Sequence, residues 1–329
     1  MSKNALLHIG WTLLRLSSLL VAVSILAFGL VISSPIDPVD AYVGSESGVS
    51  QEQRQNVAAY WGLDKPPGER YFIWARNMLA GDMGTSITYR LPVSQVIAER
   101  FQTSLALMGT AWVLSGLLGF ILGVVAGVYR GSVLDRGIKT FCLILSSTPA
   151  FWLGLLLLTL FAVRLEWFPI ALAAPIGKLS GEVTLGERIH HLILPSLTLS
   201  ITGVAAIALH TRQKLIDVMA SDYMLFAYAR GEKKWPAVRR HGIRNIMLPA
   251  ITLQFASFSE LFGGSVLAEQ VFSYPGLGNA ATLAGLRGDA PLLLGIALCS
   301  AVFVFTGNLL ANIIYCLVDP QIREERSHG

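Results

Sequence analysis

Two carboxylates stand out in this chain because each falls in or near a long apolar stretch. Glu260 lies eleven residues into one such stretch, shortly after Gln254 and Ser257. An ionisable group at membrane depth is costly and normally faces a cavity or a partner. Glu260 could therefore line a polar pathway with Gln254 and Ser257, or make a hydrogen-bonded contact between helices. Glu269 lies near the outer end of the same stretch, where we expect it to reach water.

The sequence contains no recognisable catalytic, metal-binding or nucleotide-binding motif. It lacks H-E-x-x-H, G-x-S-x-G, paired cysteines at metal spacing and the phosphate-binding G-x-x-x-x-G-K-[ST] loop. His190 and His191 would point about 100° apart on a helix, so we expect anchoring at headgroup level rather than metal binding. Cys142, Cys299 and Cys316 fall in apolar stretches, where we expect small packing residues. We predict no cofactor and no enzyme, and any ATP would have to be hydrolysed by another chain.

Composition predicts a membrane protein rather than a soluble domain. Of the 329 residues, 53% are hydrophobic and only 14% are charged. Several stretches reach the roughly 20 apolar residues that cross a hydrocarbon core. We predict six transmembrane helices, at approximately 10–33, 102–129, 138–163, 192–211, 249–273 and 292–317. The first stretch is too long for the core of a cleavable signal, so we take it as an anchored span.

The distribution of charge predicts the orientation of these spans. One side of the membrane would hold both termini, the 130–139 loop and the 212–249 loop, with 15 of the 25 Lys and Arg residues. The positive-inside rule places that side in the cytoplasm. The net charge of +4 therefore reports topology, and we predict no nucleic-acid partner.

The chain divides by hydropathy into four parts. A cytoplasmic N-terminus and first span cover 1–33, an outer segment covers 34–100, a five-helix core covers 101–318, and a cytoplasmic tail covers 319–329. The outer segment includes a predicted helix near 68–80, and we expect it to pack on the outer mouth rather than fold alone.

Two local features of the core predict how its helices pack. Gly119, Gly123 and Gly127 recur at every fourth position, which gives one helix a flat face for close approach of another. Ser147-Thr148-Pro149 interrupts the third predicted span and indicates a kink, or a hinge that moves.

The polar block at 222–249 reads as helix, tight turn, helix. Gly231 can take the left-handed conformation that ends a helix, and Pro236 suits the first turn of the next one. Its Lys and Arg residues could sit among anionic headgroups, or the block could contact a protein partner.

Motifs along nearly the whole chain resemble a known family, the permease subunits of bacterial ABC importers for dipeptides, oligopeptides and nickel. The resemblance rests on a series of short motifs in the expected order and spacing. They are Ile36-Asp37-Pro38-Val39, Gly81-Asp82-Met83-Gly84-Thr85-Ser86, Arg130-Gly131-Ser132, Pro149-Ala150-Phe151-Trp152, Phe272-Ser273-Tyr274-Pro275-Gly276-Leu277-Gly278 and Asp319-Pro320-Gln321-Ile322-Arg323.

The polar block resembles the family's cytoplasmic coupling loop, which docks on the ATPase subunit. The resemblance assigns ATPase coupling to Asp222, Phe226, Ala227, Tyr228, Arg230 and Gly231. The block departs from the family pattern at Leu225, where an acidic residue is usual, and at Phe226 and Tyr228, where smaller or basic residues are usual. Docking would then rest on apolar insertion of Phe226 and Tyr228 together with Arg230.

The resemblance implies an all-α type I ABC importer permease in the bacterial inner membrane, with six transmembrane helices and a cytoplasmic coupling-helix loop. Its expected partners are a second homologous permease, two ATP-binding subunits that bind the ATP, membrane lipid and an outer solute-binding protein. That protein would meet segment 34–100 and the loop around Tyr274–Gly278. The cargo would be peptides, nickel or a metal chelate. The alternative is a secondary, ion-coupled transporter that uses Glu260 as its ion site.

Overall fold

The computed structural model describes residues 3–35, 50, 52, 65–178 and 181–318 of the chain. Within these ranges the backbone is helical apart from turns and one isolated bridge between Thr85 and Pro92. The helices are α1 (Lys3–Ile32), α2 (Pro67–Leu79), α3 (Val93–Val128), α4 (Val133–Ser147), α5 (Ala150–Leu157, continued by a π-helical segment Leu158–Arg164), α6 (Leu185–Met219), α7 (Asp222–Ala229), α8 (Lys234–Ala237, continued by a π-helical segment Val238–Gly242), α9 (Ile243–Ala256), α10 (Phe258–Val271), α11 (Leu277–Leu286) and α12 (Ala290–Val318).

Long apolar helices confirm the prediction of an all-α membrane protein. Among the described residues, four helices are long and apolar enough to cross a membrane: Gly10–Ile32, Val93–Val128, Leu185–Met219 and Ala290–Ile314. Two bent pairs bring the number to six if each pair counts as one span. The helix predicted near 68–80 is confirmed as α2.

The third and fifth predicted spans are broken rather than continuous. Helices α4 and α5 meet at 108°, where Thr148 is extended (φ −99°, ψ 132°) ahead of Pro149. Proline disfavours the helical conformation in the residue before it, which explains a sharp break instead of a mild kink. The helical stretch from Lys234 to Ala256 meets α10 at 53°, at Ser257.

The chain forms two compact units, and their boundaries differ from the hydropathy divisions. The first unit comprises Met1–Gln102 and Gly276–Thr306. Within it, buried Asp289 accepts hydrogen bonds from Ser86 Oγ (2.5 Å) and the Thr88 backbone N–H (2.8 Å). Asp289 also accepts from the Leu292 backbone N–H (3.2 Å) in the first turn of α12. One carboxylate thereby joins the turn before α3 to the start of α12.

The second unit comprises Thr103–Pro275 and Gly307–Gly329, and within it α3 approaches α6 closely. A Cβ built on Gly119 would lie 2.8 Å from Ile207 Cβ, and one built on Gly123 would lie 2.6 Å from the Ala208 carbonyl oxygen. At Gly127 the nearest atom would be Leu215 Cδ2, at 2.8 Å. No side chain fits at these distances, so the predicted close approach through glycines is confirmed.

Candidate functional site

The block at 222–249 is a short helix held between two longer helical stretches. Helix α7 ends at Arg230 and Gly231, and Gly231 has a φ of +88°. The Gly231 N–H donates to the Tyr228 carbonyl oxygen (2.9 Å) and the Glu232 N–H to that of Ala227 (3.1 Å). This is the usual left-handed stop of a helix, and the next helix begins at Lys234 with Pro236 in its first turn. The predicted helix, turn, helix arrangement is confirmed.

The inner face of α7 is buried in the core of the second unit. Met224 is fully buried and Ala227 is 5% exposed. Both belong to a cluster that draws on α3, α6, α8 and α9: Val124, Val128, Leu215, Met224, Ala227, Ala237, Val238 and Ile246. Burying a side chain the size of Met224 contributes about 1.5–3 kcal/mol. Helix α7 is therefore fixed to its neighbours along its own length as well as at its two ends.

The opposite face of α7 presents large apolar side chains at the surface. Tyr223, Leu225 and Phe226 are 45%, 54% and 64% exposed. The Arg230 guanidinium lies 5.9 Å from the centroid of the Phe226 ring. We call Tyr223, Leu225, Phe226 and Arg230 the α7 surface. Asp222, also exposed, begins the helix.

Tyr228 does not belong to the α7 surface, although the sequence grouped it with Phe226. Its side chain is half-buried and packs against the core cluster. Burial raises the pKa of its phenol. Met224, Ala227 and Tyr228 are spaced three and four apart, so they share the inner face of the helix. Tyr223 is the second exposed aromatic residue, and its phenol oxygen accepts a hydrogen bond from Asn245 Nδ2 (3.0 Å).

An ion pair with little exposure to solvent joins the 130–132 loop and the start of α4 to α6. Arg212 donates to Asp135 through Nε (2.5 Å) and Nη2 (2.8 Å), and the Gly131 N–H donates to the same carboxylate (2.8 Å). Asp135 is only 3% exposed. The sequence around either residue does not indicate this pair, because its two members lie 77 positions apart.

The residues predicted to line a translocation pathway have different environments. Gln254 is buried, and its Nε2 donates to the Trp112 carbonyl oxygen (2.5 Å) while Trp112 Nε1 donates to the Gln254 carbonyl oxygen (2.9 Å). Gln254 therefore fastens α9 to α3. Ser257 occupies the break before α10, and its hydroxyl donates to the Gln254 carbonyl oxygen (3.0 Å). Glu260 lies in the first turn of α10 with an exposed side chain.

Glu269 does not reach water, contrary to the expectation from its position in the sequence. Its side chain is fully buried, and Ser104 Oγ donates to Glu269 Oε1 (2.6 Å). Ser104 belongs to the part of α3 that lies in the second unit. Its contact with Glu269 is a tertiary contact that hydropathy alone does not reveal. Tyr274 and Leu277 are also buried, at 4% and 1% exposure, so these side chains of the loop do not form an open binding surface.

The two adjacent histidines hold the loop that follows α5. His190 Nε2 lies 2.8 Å from the Trp167 carbonyl oxygen. His191 Nδ1 lies 3.2 Å from the carbonyl oxygen of Ala171 and 3.1 Å from that of Leu172. Both rings therefore contact loop backbone, and the anchoring at headgroup level stays a prediction. Cys142 and Cys299 carry free thiols, and the side chain of Cys316 lies outside the described residues.

Comparison with known proteins decides the family. Residues 119–324 match the binding-protein-dependent transport system inner membrane component family. The chain belongs to this family. The permease is 35% identical over 305 residues to the oligopeptide transport system permease protein AppB of Bacillus subtilis (strain 168), covering 92% of this chain and 95% of that protein. It is 33% identical over 319 residues to the di/tripeptide transport system permease protein DppB of Pseudomonas aeruginosa (strain UCBPP-PA14), covering 92% and 95%.

A solved structure supports the fold of this permease. This permease resembles a chain of the MetNI methionine ABC transporter in an inward-facing conformation, with a TM-score of 0.55 and 14% identity. The match covers 69% of this permease and 97% of that chain. Family membership and the apolar helices together show a multi-pass protein of the inner membrane.

Proposed function

We propose that this permease is the transmembrane subunit of an ATP-driven ABC importer that carries peptides, and that the α7 surface docks on the ATP-hydrolysing subunit. The relatives named for oligopeptide and di/tripeptide transport support peptides over nickel or a metal chelate as cargo. The observation that carries the docking proposal is the division of α7 into a buried inner face and an exposed apolar outer face.

The physical basis of docking is the cost of leaving apolar side chains in water. Phe226 is 64% exposed in the isolated chain, and burying it in a cleft would contribute roughly 2 kcal/mol. Arg230, beside this ring, adds a charge that can pair with a carboxylate of the partner. Asp222 at the start of α7 and the left-handed Gly231 at its end set where the surface begins and stops.

Movement of the ATPase can reach the bilayer through α7 because the helix is fixed on its inner face. Met224 and Ala227 pack against residues of α3 and α6, both of which are membrane spans. A displacement of the α7 surface is thereby passed to two spans at once. A flexible loop would instead absorb the displacement by changing its own shape.

The complete importer, in this proposal, contains a second homologous permease, two ATP-binding subunits and an outer solute-binding protein. The positive-inside rule places both termini and the α7 surface in the cytoplasm. Segment 34–100 would lie outside, where the binding protein delivers the peptide. Buried Tyr274 and Leu277 leave that contact mainly to segment 34–100. The alternating-access pathway between the two permeases would open outward and then inward.

Photo-crosslinking in the assembled transporter tests the docking. A benzoylphenylalanine at position 226 should crosslink to the ATPase subunit. The control is the same residue at position 117, since Leu117 is 56% exposed within the α3 span. It should crosslink to lipid or to a permease. Equal ATPase crosslinking at both positions, or none at 226, would remove the α7 surface from the proposal.

Uptake by proteoliposomes tests the energy source and the cargo. Loading of labelled tripeptide should require ATP, the ATPase subunit and the binding protein. Uptake that continues without the ATPase and stops when the proton gradient is removed would support a secondary transporter. In that case Glu260→Gln should abolish it. Uptake of labelled nickel in place of peptide would overturn the cargo assignment alone.

A further inference from the structure

Helix α2 in the first unit has two apolar faces, and only one of them packs on the protein. Tyr71, Trp74 and Met78 are spaced three and four apart and are half-buried. Phe72 and Leu79 are seven positions apart, so they share a second face. Their side chains are 73% and 91% exposed. An exposed apolar face of this kind is typical of a surface that contacts a membrane or another protein.

The packed face of α2 lies against the end of the first membrane span. The Phe28 ring centroid is 5.3 Å from that of Tyr71 and 5.6 Å from that of Trp74. The Ser24 hydroxyl lies 2.8 Å from the Tyr71 hydroxyl. Phe28 and Ser24 precede the end of α1 at Ile32 by four and eight residues, or about 6 and 12 Å along the helix axis.

These distances place α2 at the depth where headgroups meet acyl chains. The last turns of α1 leave Leu26 and Leu30 67% and 74% exposed, as expected for side chains that face lipid. Leu26 and Leu30 lie on the side of α1 away from Phe28, so these last turns of the span face lipid on one side and α2 on the other. Amphipathic helices that lie in the interface bury their apolar side chains about 5–10 Å into this boundary.

The charges on α2 favour an anionic surface. Glu69 forms an ion pair with Lys65 (2.9 Å), which offsets its negative charge. Arg70 and Arg76 remain as the net charge of the helix. A basic side chain near an anionic membrane surface is attracted to it. Charge and apolar exposure thus indicate the same type of partner.

We propose that α2 lies in the lipid headgroup region, with Phe72 and Leu79 inserted among the acyl chains and Arg70 and Arg76 near lipid phosphates. The helix anchors the outer segment to the bilayer beside α1. Pro66 and Pro67 fix where this helix begins. The inference depends on α1 being a membrane span and does not depend on ATP coupling or on the cargo.

Spin-label accessibility in the full-length chain tests this placement. Cys142, Cys299 and Cys316 are replaced by alanine, and single cysteines are introduced as Phe72→Cys, Leu79→Cys and Asn77→Cys. Each is labelled with a nitroxide in nanodiscs of phosphatidylethanolamine and phosphatidylglycerol. The control Asn77 is exposed on the same helix but lies away from the Phe72 and Leu79 face.

Labels at 72 and 79 should collide several-fold more with oxygen, relative to a water-soluble nickel chelate, than the label at 77. Equal ratios at the three positions would show that α2 lies in water and would overturn the proposal. Adding the solute-binding protein should leave the ratio at 72 unchanged. A label at 72 that is water-accessible alone and protected only by that protein would make the face a protein-docking site instead. In nanodiscs without phosphatidylglycerol, the ratio of oxygen to nickel-chelate collisions at 72 and 79 should fall. An unchanged ratio would show that Arg70 and Arg76 do not hold the helix to anionic lipid.

Discussion

The Arg212 guanidinium donates two hydrogen bonds to the Asp135 carboxylate, which also accepts the backbone N–H of Gly131. The two side chains are 16% and 5% exposed, so water contributes little to satisfying either charge. This single carboxylate therefore holds the turn between α3 and α4 against α6.

Asp135→Asn should destabilise the permease because it leaves the Arg212 charge partly buried and unpaired. We expect the free energy of unfolding to fall by about 3 kcal/mol. The measurement is thermal unfolding of the purified chain in detergent. Lys214→Gln, an exposed charge two residues from Arg212, is the control and should change little. Equal unfolding temperatures for the two variants would contradict the role given to the ion pair.

Met224→Ala and Phe226→Ala should affect different properties, the first the stability of the permease and the second its coupling to ATP hydrolysis. Met224 is fully buried, so its truncation should cost about 2–5 kcal/mol of folding free energy. Phe226 is mostly exposed, so Phe226→Ala should keep the wild-type unfolding temperature but reduce uptake per ATP hydrolysed. Thermal unfolding and coupled uptake would be measured on both variants. Full coupling in Phe226→Ala, at normal assembly, would exclude the ring from docking.

Gly231→Ala should weaken the corner that ends α7. The backbone there has a φ of +88°, and an L side chain pays about 1–2 kcal/mol in the left-handed region. No atom lies within 4 Å of the added Cβ, so the cost is conformational rather than steric. Gly137→Ala is the matched control, since Gly137 lies within α4 with equally open space and should be neutral or slightly stabilising. We expect only the first change to lower the unfolding temperature and coupled uptake.

Gly123→Ala should prevent normal packing of α3 on α6. The new methyl group would lie 2.6 Å from the Ala208 carbonyl oxygen, which is backbone and cannot rotate away. Gly109→Ala is the control on the same helix, because no atom lies within 4 Å of its Cβ position. Size-exclusion chromatography of the detergent extract should show loss of monodisperse protein for Gly123→Ala alone. Similar profiles for both variants would contradict the close approach.

Periodic features of the sequence predicted much of this fold. The apolar stretches gave the spans, and glycine at every fourth position identified the face of α3 that contacts α6. Gly231 and Pro236 placed the end of α7 and the start of the next helix. These signals are local, because helix propensity and backbone conformation depend on residues within a turn or two.

The remaining features depend on contacts between distant positions. Ser104 and Glu269 are 165 positions apart, and the sequence of neither region indicates the other. The orientation of Tyr228 follows from where α7 sits on its neighbours, since both Phe226 and Tyr228 look equally suited to a surface by composition.

The glycine contact between α3 and α6 limits how this protein can change shape. An added Cβ at Gly119, Gly123 or Gly127 would lie within 2.8 Å of an atom of α6, so a slide of one helix past the other would bring larger α3 side chains into α6. Helices α3 and α6 must therefore move together as a rigid unit. Bending is left to the breaks at Thr148 and Ser257, where the adjoining helices meet at 108° and 53°.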